Sequence, residues 1–133
     1  TAYQTAKEVL KKYPEVKGIL GTSSFDAPGT ARAIDELGLK GKVFTAGTGM
    51  PAANAQILKD GSVSTLTLWD PANAGYAMAS LATKILNGET IEDGVNLGVE
   101  GYESMHFSSG STKVLEGTGW LKITKDNVDS LGF

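Results

Sequence analysis

Three short stretches of this sequence carry side chains that could recognise a ligand. They are the hydroxyl-rich run from Thr22 to Asp26, the segment Gly47-Thr48-Gly49 and the pair Trp69-Asp70. An indole ring offers a flat apolar face, and a carboxylate accepts hydrogen bonds from hydroxyl groups. A sugar needs both, because its C–H faces stack on aromatic rings and its hydroxyl groups must be paired once they leave water. The three stretches therefore predict a site for a sugar-like molecule.

Six side chains in these stretches are the candidate ligand contacts: Ser23, Ser24, Asp26, Thr48, Trp69 and Asp70. Each also has a structural interpretation. Asp70 precedes Pro71, where a carboxylate caps the amides of a new helix, and for Asp26 capping is the expected role. Trp69 alternatively fills the core. The serines and Thr48 alternatively act as small turn residues, and the glycines beside Thr48 let the backbone approach closely.

Patterns typical of catalysis or metal binding are weak. The segment Gly21–Phe25 departs from the G-x-S-x-G pattern because Phe25 replaces the last glycine. Gly47-Thr48-Gly49 lacks the rest of a dinucleotide-binding fingerprint. The one histidine, His106, is expected to be solvated or to pack, and no cluster has metal-ligand spacing. We therefore expect no enzyme activity, no metal and no cofactor. A small α/β enzyme is the least favoured alternative, because no nucleophile–base pair is evident.

Composition restricts the class of protein further. The net charge of −3 provides no basic surface for nucleic acid. No apolar run approaches the roughly 20 residues of a membrane span, and the first residues have the spacing of an amphipathic helix rather than of a signal peptide. The absence of cysteine excludes disulfides and thiolate metal sites, and fits an extracytoplasmic bacterial protein.

Apolar spacing predicts an alternation of helices and strands. The helices are predicted at 2–13, 27–38, 51–59 and 71–87, and the strands at 17–21, 42–46 and 63–68. This alternation predicts an α/β fold, in which a parallel sheet is flanked by helices and joined by right-handed crossovers. In open parallel sheets ligands bind outside the carboxyl ends of the strands, so the three polar stretches are expected at that edge.

Two features predict how the chain is divided. It opens with a helix, whereas an α/β domain normally opens with a strand, so we expect a fragment or a domain that lacks its leading strand. Residues 1–95 are predicted to form an α/β ligand-binding lobe, and 96–133 change character. Within that last segment we expect, in order, an extended stretch at Asn96–Met105, a turn at Ser108–Thr112, a strand at Trp120–Thr124 and a short helix at Lys125–Leu131.

Short motifs along nearly the whole chain resemble one known family. They are Tyr3-Gln4-Thr5-Ala6, Leu10-Lys11-Lys12-Tyr13-Pro14, Gly18-Ile19-Leu20, Ala27-Pro28-Gly29, Leu68-Trp69-Asp70-Pro71, Leu86-Asn87-Gly88 and Thr124-Lys125-Asp126-Asn127. In this order they resemble the C-terminal part of type 1 periplasmic sugar-binding proteins of ABC transporters. The resemblance is strongest to the branch that binds rhamnose and autoinducer-2.

The resemblance implies a protein of two lobes that closes on a sugar, with this chain supplying most of one Rossmann-like lobe. It implies that the amino-terminal lobe and the first strand–helix–strand unit of this lobe are missing from the chain. It also implies that residues 96–105 are a hinge strand returning to the missing lobe. The implied partners are a sugar, the membrane permease of an ABC importer and that missing lobe, with no nucleic acid. The implied location is the periplasm, or the cell exterior with a lipoprotein anchor.

The resemblance transfers to the candidate site only in part. Ribose-type members carry Asn or Asp where Ser23 or Ser24 stands, and Asp near Thr48. Autoinducer-2 binders carry Pro-Asp-Ala where this chain has Thr22-Ser23-Ser24, so the turn departs from theirs. Trp69-Asp70, by contrast, matches the branch. A deoxysugar such as rhamnose fits best, because its apolar methyl group suits a pocket lined by a tryptophan and hydroxyl groups. Autoinducer-2 is an alternative ligand. The effector domain of a LacI-type regulator, which shares the fold and follows a helix-turn-helix module, is a second alternative.

Overall fold

A computed structural model describes residues 1–133. The helices are α1 (Ala2–Lys12), α2 (Asp26–Glu36), α3 (Pro51–Lys59) and α4 (Pro71–Leu86). The strands are β1 (Gly18–Leu20), β2 (Phe44–Thr48), β3 (Thr65–Trp69), β4 (His106–Phe107), β5 (Leu115–Glu116) and β6 (Trp120–Ile123). A 3-10 helix, Val128–Ser130, follows β6. No helix combines the length and apolar character needed to cross a membrane.

The chain divides into two compact units. Unit 1 comprises Thr1–Leu68 and Lys122–Phe133, and unit 2 comprises Trp69–Leu121. These units reflect contacts within this chain. The predicted division into a ligand-binding lobe at 1–95 and a hinge-crossing segment at 96–133 concerns a protein of two lobes, so that division stays a prediction.

The first three strands form the parallel sheet that the sequence predicts. β1 and β2 run parallel with Ile19 opposite Thr45, and β2 and β3 run parallel with Gly47 opposite Leu66. The strand order in the sheet is β1-β2-β3-β6. Because both pairings are parallel, β1 and β3 point the same way. The α/β class, with a mostly parallel sheet flanked by helices, is confirmed.

Helix α1 shows how local sequence builds unit 1. The Thr1 side chain accepts a hydrogen bond from the Gln4 amide at 3.3 Å. The Gln4 side-chain oxygen accepts a hydrogen bond from the backbone nitrogen of Thr1, which completes a capping box. The buried face of α1 brings Leu10 against Ile34 of α2 and against Val43, which leads into β2. This shared apolar cluster fixes α1 and α2 on the sheet and thereby places the loops that follow the strands.

All the boundaries of the three predicted strands shift by one or two residues: β1 is shorter at both ends, and β2 and β3 begin and end later than predicted. β2 was expected to end at Ala46, with Gly47-Thr48-Gly49 as a turn, but Gly47 and Thr48 belong to the strand because its parallel pairing with β3 continues to Thr48. β3 likewise continues through Trp69. Glycine is required at position 47, because a Cβ there would lie 2.7 Å from the carbonyl oxygen of Gly21, the residue that follows β1.

Unit 2 is less regular than unit 1. Its core is a small cluster of Ala77 from α4 with Leu97 and Met105. The extended stretch predicted for 96–105 is wrong: the segment is made of turns, and only one antiparallel bridge, Val95 to Met105, flanks it. Gly98 and Gly101 have φ of +71° and +81°, a left-handed conformation that reverses the chain and prevents a continuous strand. Whether this segment leads to a second lobe stays a prediction.

The C-terminal segment follows the prediction more closely. Ser111 donates its amide to the Ser108 carbonyl at 2.9 Å in the expected turn, and β6 occupies the expected strand at Trp120–Thr124 up to Ile123. The short helix predicted at Lys125–Leu131 is a 3-10 helix, Val128–Ser130. Lys59 of α3 pairs with Asp129 at 2.6 Å, which ties this helix to the rest of unit 1.

Candidate functional site

The hydroxyl turn, which we define as Thr22–Asp26, lies directly after β1. Asp26 is the first residue of α2, and its Oδ2 accepts hydrogen bonds from the amides of Thr22 at 3.1 Å and Ser23 at 3.0 Å. Its carboxylate therefore holds the loop before the helix. It does not cap the helix as predicted, since the N-cap is Phe25. Gly21 is required here, because a Cβ would overlap that of Asp26.

The two serines of the hydroxyl turn lie at the surface. Ser23 and Ser24 are exposed, and Ser23 Oγ accepts a weak bond from the Phe25 amide at 3.4 Å. Asp26 by contrast is only partly exposed, and one of its oxygens is already occupied by the two loop amides. The hydroxyl groups are thus the more accessible ligand contacts in this turn.

Thr48 lies close to the hydroxyl turn within unit 1. It is the last residue of β2, half-buried, and paired with Thr67 of β3. The Gly21 amide donates to the Ala46 carbonyl at 3.0 Å, so the chain enters the hydroxyl turn while still bonded to β2. The structure therefore brings three of the predicted polar positions, Ser23, Asp26 and Thr48, to adjoining strand ends.

Asp70 begins α4 in unit 2 and caps it as predicted. Its Oδ1 accepts hydrogen bonds from the amides of Ala72 at 2.7 Å and Asn73 at 3.3 Å. Pro71 occupies the first helical position, where its missing N–H costs nothing. Since both capping bonds end on Oδ1, the cap does not use Oδ2. The structural role of Asp70 is thus confirmed, while its contact with a ligand stays a prediction.

Trp69 is exposed rather than buried in the core. Its exposed fraction is 42%, and its ring packs against Trp120 with centroids 5.4 Å apart and planes at 84°, an edge-to-face pair. The two indoles line a cavity of about 200 Å³ within unit 2, which we call the aromatic slot. Its lining residues are Trp69, Tyr102, Met105, Leu115, Gly117, Gly119 and Trp120.

Glycines let the walls of the aromatic slot approach each other. A Cβ on Gly119 would lie 2.8 Å from the Tyr102 ring, so Tyr102 packs directly on the backbone there. The Thr118 amide donates to the Gly101 carbonyl at 3.0 Å and holds the two segments together. Sequence reasoning missed Trp120 and Tyr102. The available signal was Gly117-Thr118-Gly119-Trp120, in which an aromatic residue follows a glycine-rich turn at the start of a predicted strand.

A second polar arrangement in unit 2 was also missed. Ser104 Oγ lies 3.1 Å from His106 Nε2, and His106 Nδ1 lies 3.0 Å from Asp93 Oδ2. The expectation that the chain lacks a nucleophile–base pair was therefore wrong. The side chains of His106 and Asp93 are 61% and 59% exposed, so water competes for these bonds. The His106 bond, with a second from the Phe107 amide, lowers the pKa of Asp93.

The largest pKa change belongs to Glu36, on the surface of unit 1. The Tyr3 hydroxyl and the Lys7 ammonium both donate to Glu36, and Arg32 pairs with it at 3.2 Å. These bonds, that from Tyr3 most of all, lower the pKa of Glu36 to about 2. The cluster joins α1 to α2 and is fully explained by that structural role.

Comparison with known proteins identifies the family. Residues 1–90 match the family model described as periplasmic binding protein domain. The chain belongs to this family. Among solved structures, a sugar ABC transporter protein from Actinomyces odontolyticus is 28% identical with a TM-score of 0.79, over 99% of this chain and 42% of that chain.

Two further solved structures share the fold. The LsrB protein from Clostridium saccharobutylicum, in complex with AI-2, is 21% identical with a TM-score of 0.74, over 99% of this chain and 44% of its own. The arabinose-binding protein AraP from Geobacillus stearothermophilus is 24% identical with a TM-score of 0.69, over 99% and 41%. The chain thus spans about two fifths of the length of these proteins.

Proposed function

We propose that this chain is part of the solute-binding component of a bacterial ABC importer and that it binds a neutral monosaccharide. The observation that carries the proposal is the exposed Trp69 ring, followed at once by an aspartate whose cap leaves Oδ2 unused. An exposed indole beside a carboxylate suits a molecule with one apolar face and many hydroxyl groups. The family membership and the likeness to a sugar transporter protein support this choice.

Each candidate residue has a role in the proposal. The C–H face of the sugar stacks on Trp69, and Asp70 Oδ2 accepts hydrogen bonds from two of its hydroxyl groups. Ser23, Ser24 and Thr48 supply further hydroxyl partners, and the free lone pairs of Asp26 supply another acceptor. A sugar whose hydroxyl groups are all paired in this way leaves water without an unpaired polar group.

The proposal extends to the whole protein. A second, amino-terminal lobe closes over the sugar, residues 1–95 form the lobe described here, and 96–133 cross the hinge between the lobes. The closed protein delivers its sugar to a membrane permease, in the periplasm or at the cell surface on a lipid anchor. A deoxysugar of the rhamnose type is the proposed ligand. The AI-2 complex of a relative that shares this fold keeps autoinducer-2 as the alternative within the family.

A thermal-shift panel on the complete product of the gene that encodes these residues tests this proposal. A ligand that binds only the folded state raises the unfolding temperature as its concentration exceeds Kd. We expect a neutral deoxysugar to raise it and nucleotides or amino acids not to. Asp70→Asn is the matched variant, because it keeps an oxygen to cap α4 while removing the charge, and it should reduce the shift. A panel in which no sugar shifts the transition contradicts the proposal.

Ester hydrolysis is a second candidate, and one observation favours it. Ser104, His106 and Asp93 are linked by hydrogen bonds in the order nucleophile, base and orienting carboxylate. Their exposure argues against a buried, water-free centre. Hydrolysis of p-nitrophenyl acetate that is lost in both Ser104→Ala and His106→Ala would establish it. Equal background rates in the wild-type protein and both variants would rule it out.

A further inference from the structure

We infer that an apolar groove along α4 is covered by the amino-terminal lobe of the complete protein, before any sugar binds. The inference rests on the proposed function for that second lobe, and it goes further by assigning a surface on which the lobe packs. Three observations carry it: the composition of α4, the lining of the groove, and the length of similar proteins.

Helix α4 has the composition of a core helix and the exposure of a surface helix. Lys84 is the only charged residue among its 16, and Ala77 is the only buried one. Helix α2, with 11 residues, carries four charged side chains and buries five residues. A helix that is apolar on nearly every side is normally enclosed in a core. Since unit 2 leaves α4 open, a further surface is needed to enclose it.

Two adjoining cavities of unit 2 form this groove, which we call the α4 groove. Their volumes are about 280 and 240 Å³, and Leu81 and Leu115 line both of them. The helix contributes one stripe with the spacing of a single helix face, namely Ala74, Ala77, Met78, Leu81 and Ile85. Within that stripe Met78 is 67% exposed and Ile85 is 56% exposed. A continuous exposed apolar surface of this kind marks a contact with another protein surface.

The lining of the α4 groove suits aliphatic side chains rather than a sugar. Its polar members are Tyr102, Thr112 and Lys113, and all the others are aliphatic, aromatic or thioether side chains. A sugar in this groove would leave most of its hydroxyl groups without partners. A membrane surface is also a poor match, because helices that lie in one carry many Lys and Arg residues on their polar face, whereas α4 has one lysine. The groove therefore fits the apolar surface of a folded protein.

The same polypeptide supplies the cover in this inference. This chain spans 42% of the Actinomyces odontolyticus structure and 44% of the Clostridium saccharobutylicum structure. More than half of a protein of that length lies outside the matched part, which is enough for a lobe with a core of its own. A lobe on the same polypeptide also has a high effective concentration at the groove, whereas a second copy must be recruited from solution.

Cysteine labelling of the complete gene product, measured without sugar, tests the inference. These 133 residues contain no cysteine, so Met78→Cys introduces a thiol probe into the groove. Glu103→Cys is the control, because Glu103 is an exposed residue of unit 2 outside the groove lining. The rate of reaction with Ellman's reagent is corrected for the unsubstituted protein. Met78→Cys should react about thirtyfold or more slowly than Glu103→Cys when folded, and at about the same rate in urea.

Two further variants keep the test decisive where the cysteine disturbs folding. Met78→Lys places an unpaired charge in the covered groove and should lower the unfolding temperature of the complete gene product by roughly 5 °C or more. Met78→Leu keeps the volume and the apolar character, and it should stay within about 2 °C of the wild-type value. An uncovered Met78 would tolerate both substitutions equally.

The possible results separate the inference from the proposed function. Slow labelling of Met78→Cys at every protein concentration, with destabilisation in Met78→Lys alone, supports the inference. Labelling as fast as that of Glu103→Cys overturns it. Labelling that slows only as the protein concentration rises also overturns it, because a second copy then covers the groove. A protected Met78→Cys in a protein that no sugar stabilises overturns the proposed function and leaves the covered groove standing.

Discussion

The two compact units of this chain hold their candidate residues in opposite ways. In unit 1 the hydroxyl turn is shaped by backbone bonds, and the Asp26 carboxylate is already occupied by two loop amides. In unit 2 the Trp69 ring is held by another exposed ring, and a cavity adjoins it. The Asp26 carboxylate is thus part of the structure of its loop, while the two indoles are left partly open to solvent.

This difference indicates which residues contribute to the stability of the fold and which contribute to ligand affinity. A carboxylate that holds a loop contributes to stability first and to a ligand second, because its lone pairs are shared. An exposed indole contributes little to folding and much to binding, since its apolar face is still in contact with water. We therefore expect substitutions in unit 1 to affect stability and substitutions in the aromatic slot to affect affinity.

The largest stability effect is expected inside β3, on the residues that face the core. Leu66 is fully buried, whereas Trp69, three residues later, is exposed. Leu66→Ala should lower the free energy of unfolding by about 2–5 kcal/mol through lost burial and a cavity. Trp69→Ala should cost less than Leu66→Ala because Trp69 is 42% exposed; its loss comprises about 0.5–1.5 kcal/mol for the aromatic pair and the area that the ring buries. Urea unfolding of both variants measures the contrast, and equal losses would show that Trp69 belongs to the core.

A smaller effect is expected at the start of α4. Asp70→Ala removes the acceptor of the Ala72 and Asn73 amides and should cost about 0.5–2 kcal/mol. Asp70→Asn keeps an oxygen in place and should cost only a few tenths of a kcal/mol, roughly, because Asn and Asp cap helices about equally well. Thermal unfolding followed by circular dichroism measures both. If Asp70→Asn is as unstable as Asp70→Ala, the charge rather than the cap holds the helix.

The hydroxyl turn should respond more weakly still. Asp26→Ala returns the Thr22 and Ser23 amides to water, which costs on the order of 1 kcal/mol because these groups are near the surface. Hydrogen exchange of the two amides should accelerate at the same time. Protection that stays at the wild-type level would mean that the loop is held without Asp26. Ser24→Ala, which removes an exposed hydroxyl from the same turn, is the control and should leave exchange unchanged.

The smallest expected effect is a pH dependence in unit 1, at Glu36 of α2 rather than in the hydroxyl turn. The pKa of Glu36 falls from its ordinary value of 4.5 to about 2 in the folded chain. Its contribution to stability is therefore complete above about pH 4.5 and is lost as the pH falls through about 2. The difference in unfolding temperature between wild type and Glu36→Gln should shrink over this interval. A difference independent of pH would show that Glu36 is not titrating in its bonded form.

The sequence predicted the fold well, because its signals are local. Spacing of apolar residues and capping residues placed α1, α3 and α4 within one residue, and the alternation of elements implied the parallel sheet. The prediction failed where long-range pairing decides. Gly47 and Thr48 belong to β2 because they pair with residues of β3. At 96–105 glycines in the left-handed conformation turn the chain, whereas the apolar residues there suggested an extended strand.

The candidate site was less predictable than the fold. Trp69-Asp70 could be found because a strand end and a helix start meet there in sequence. Trp120 lies 51 positions later in the sequence, and no local pattern joins it to Trp69. The hydrogen bonds that join Asp93, His106 and Ser104 depend in the same way on the pairing around β4. Contacts between distant segments carry the chemistry that sequence reasoning missed.

Calorimetric titration of a bound deoxysugar with the complete gene product, its Trp69→Ala variant and a Tyr76→Ala control tests the central claim most directly. Tyr76 is an exposed aromatic residue of α4 that does not line the aromatic slot. Trp69→Ala should bind at least tenfold more weakly, a loss of ~1.4 kcal/mol that agrees with an aromatic stacking contact. Its unfolding temperature and that of the control should stay near the wild-type value. Unchanged affinity in a Trp69→Ala protein that is strongly destabilised would show that Trp69 supports the fold instead of the ligand.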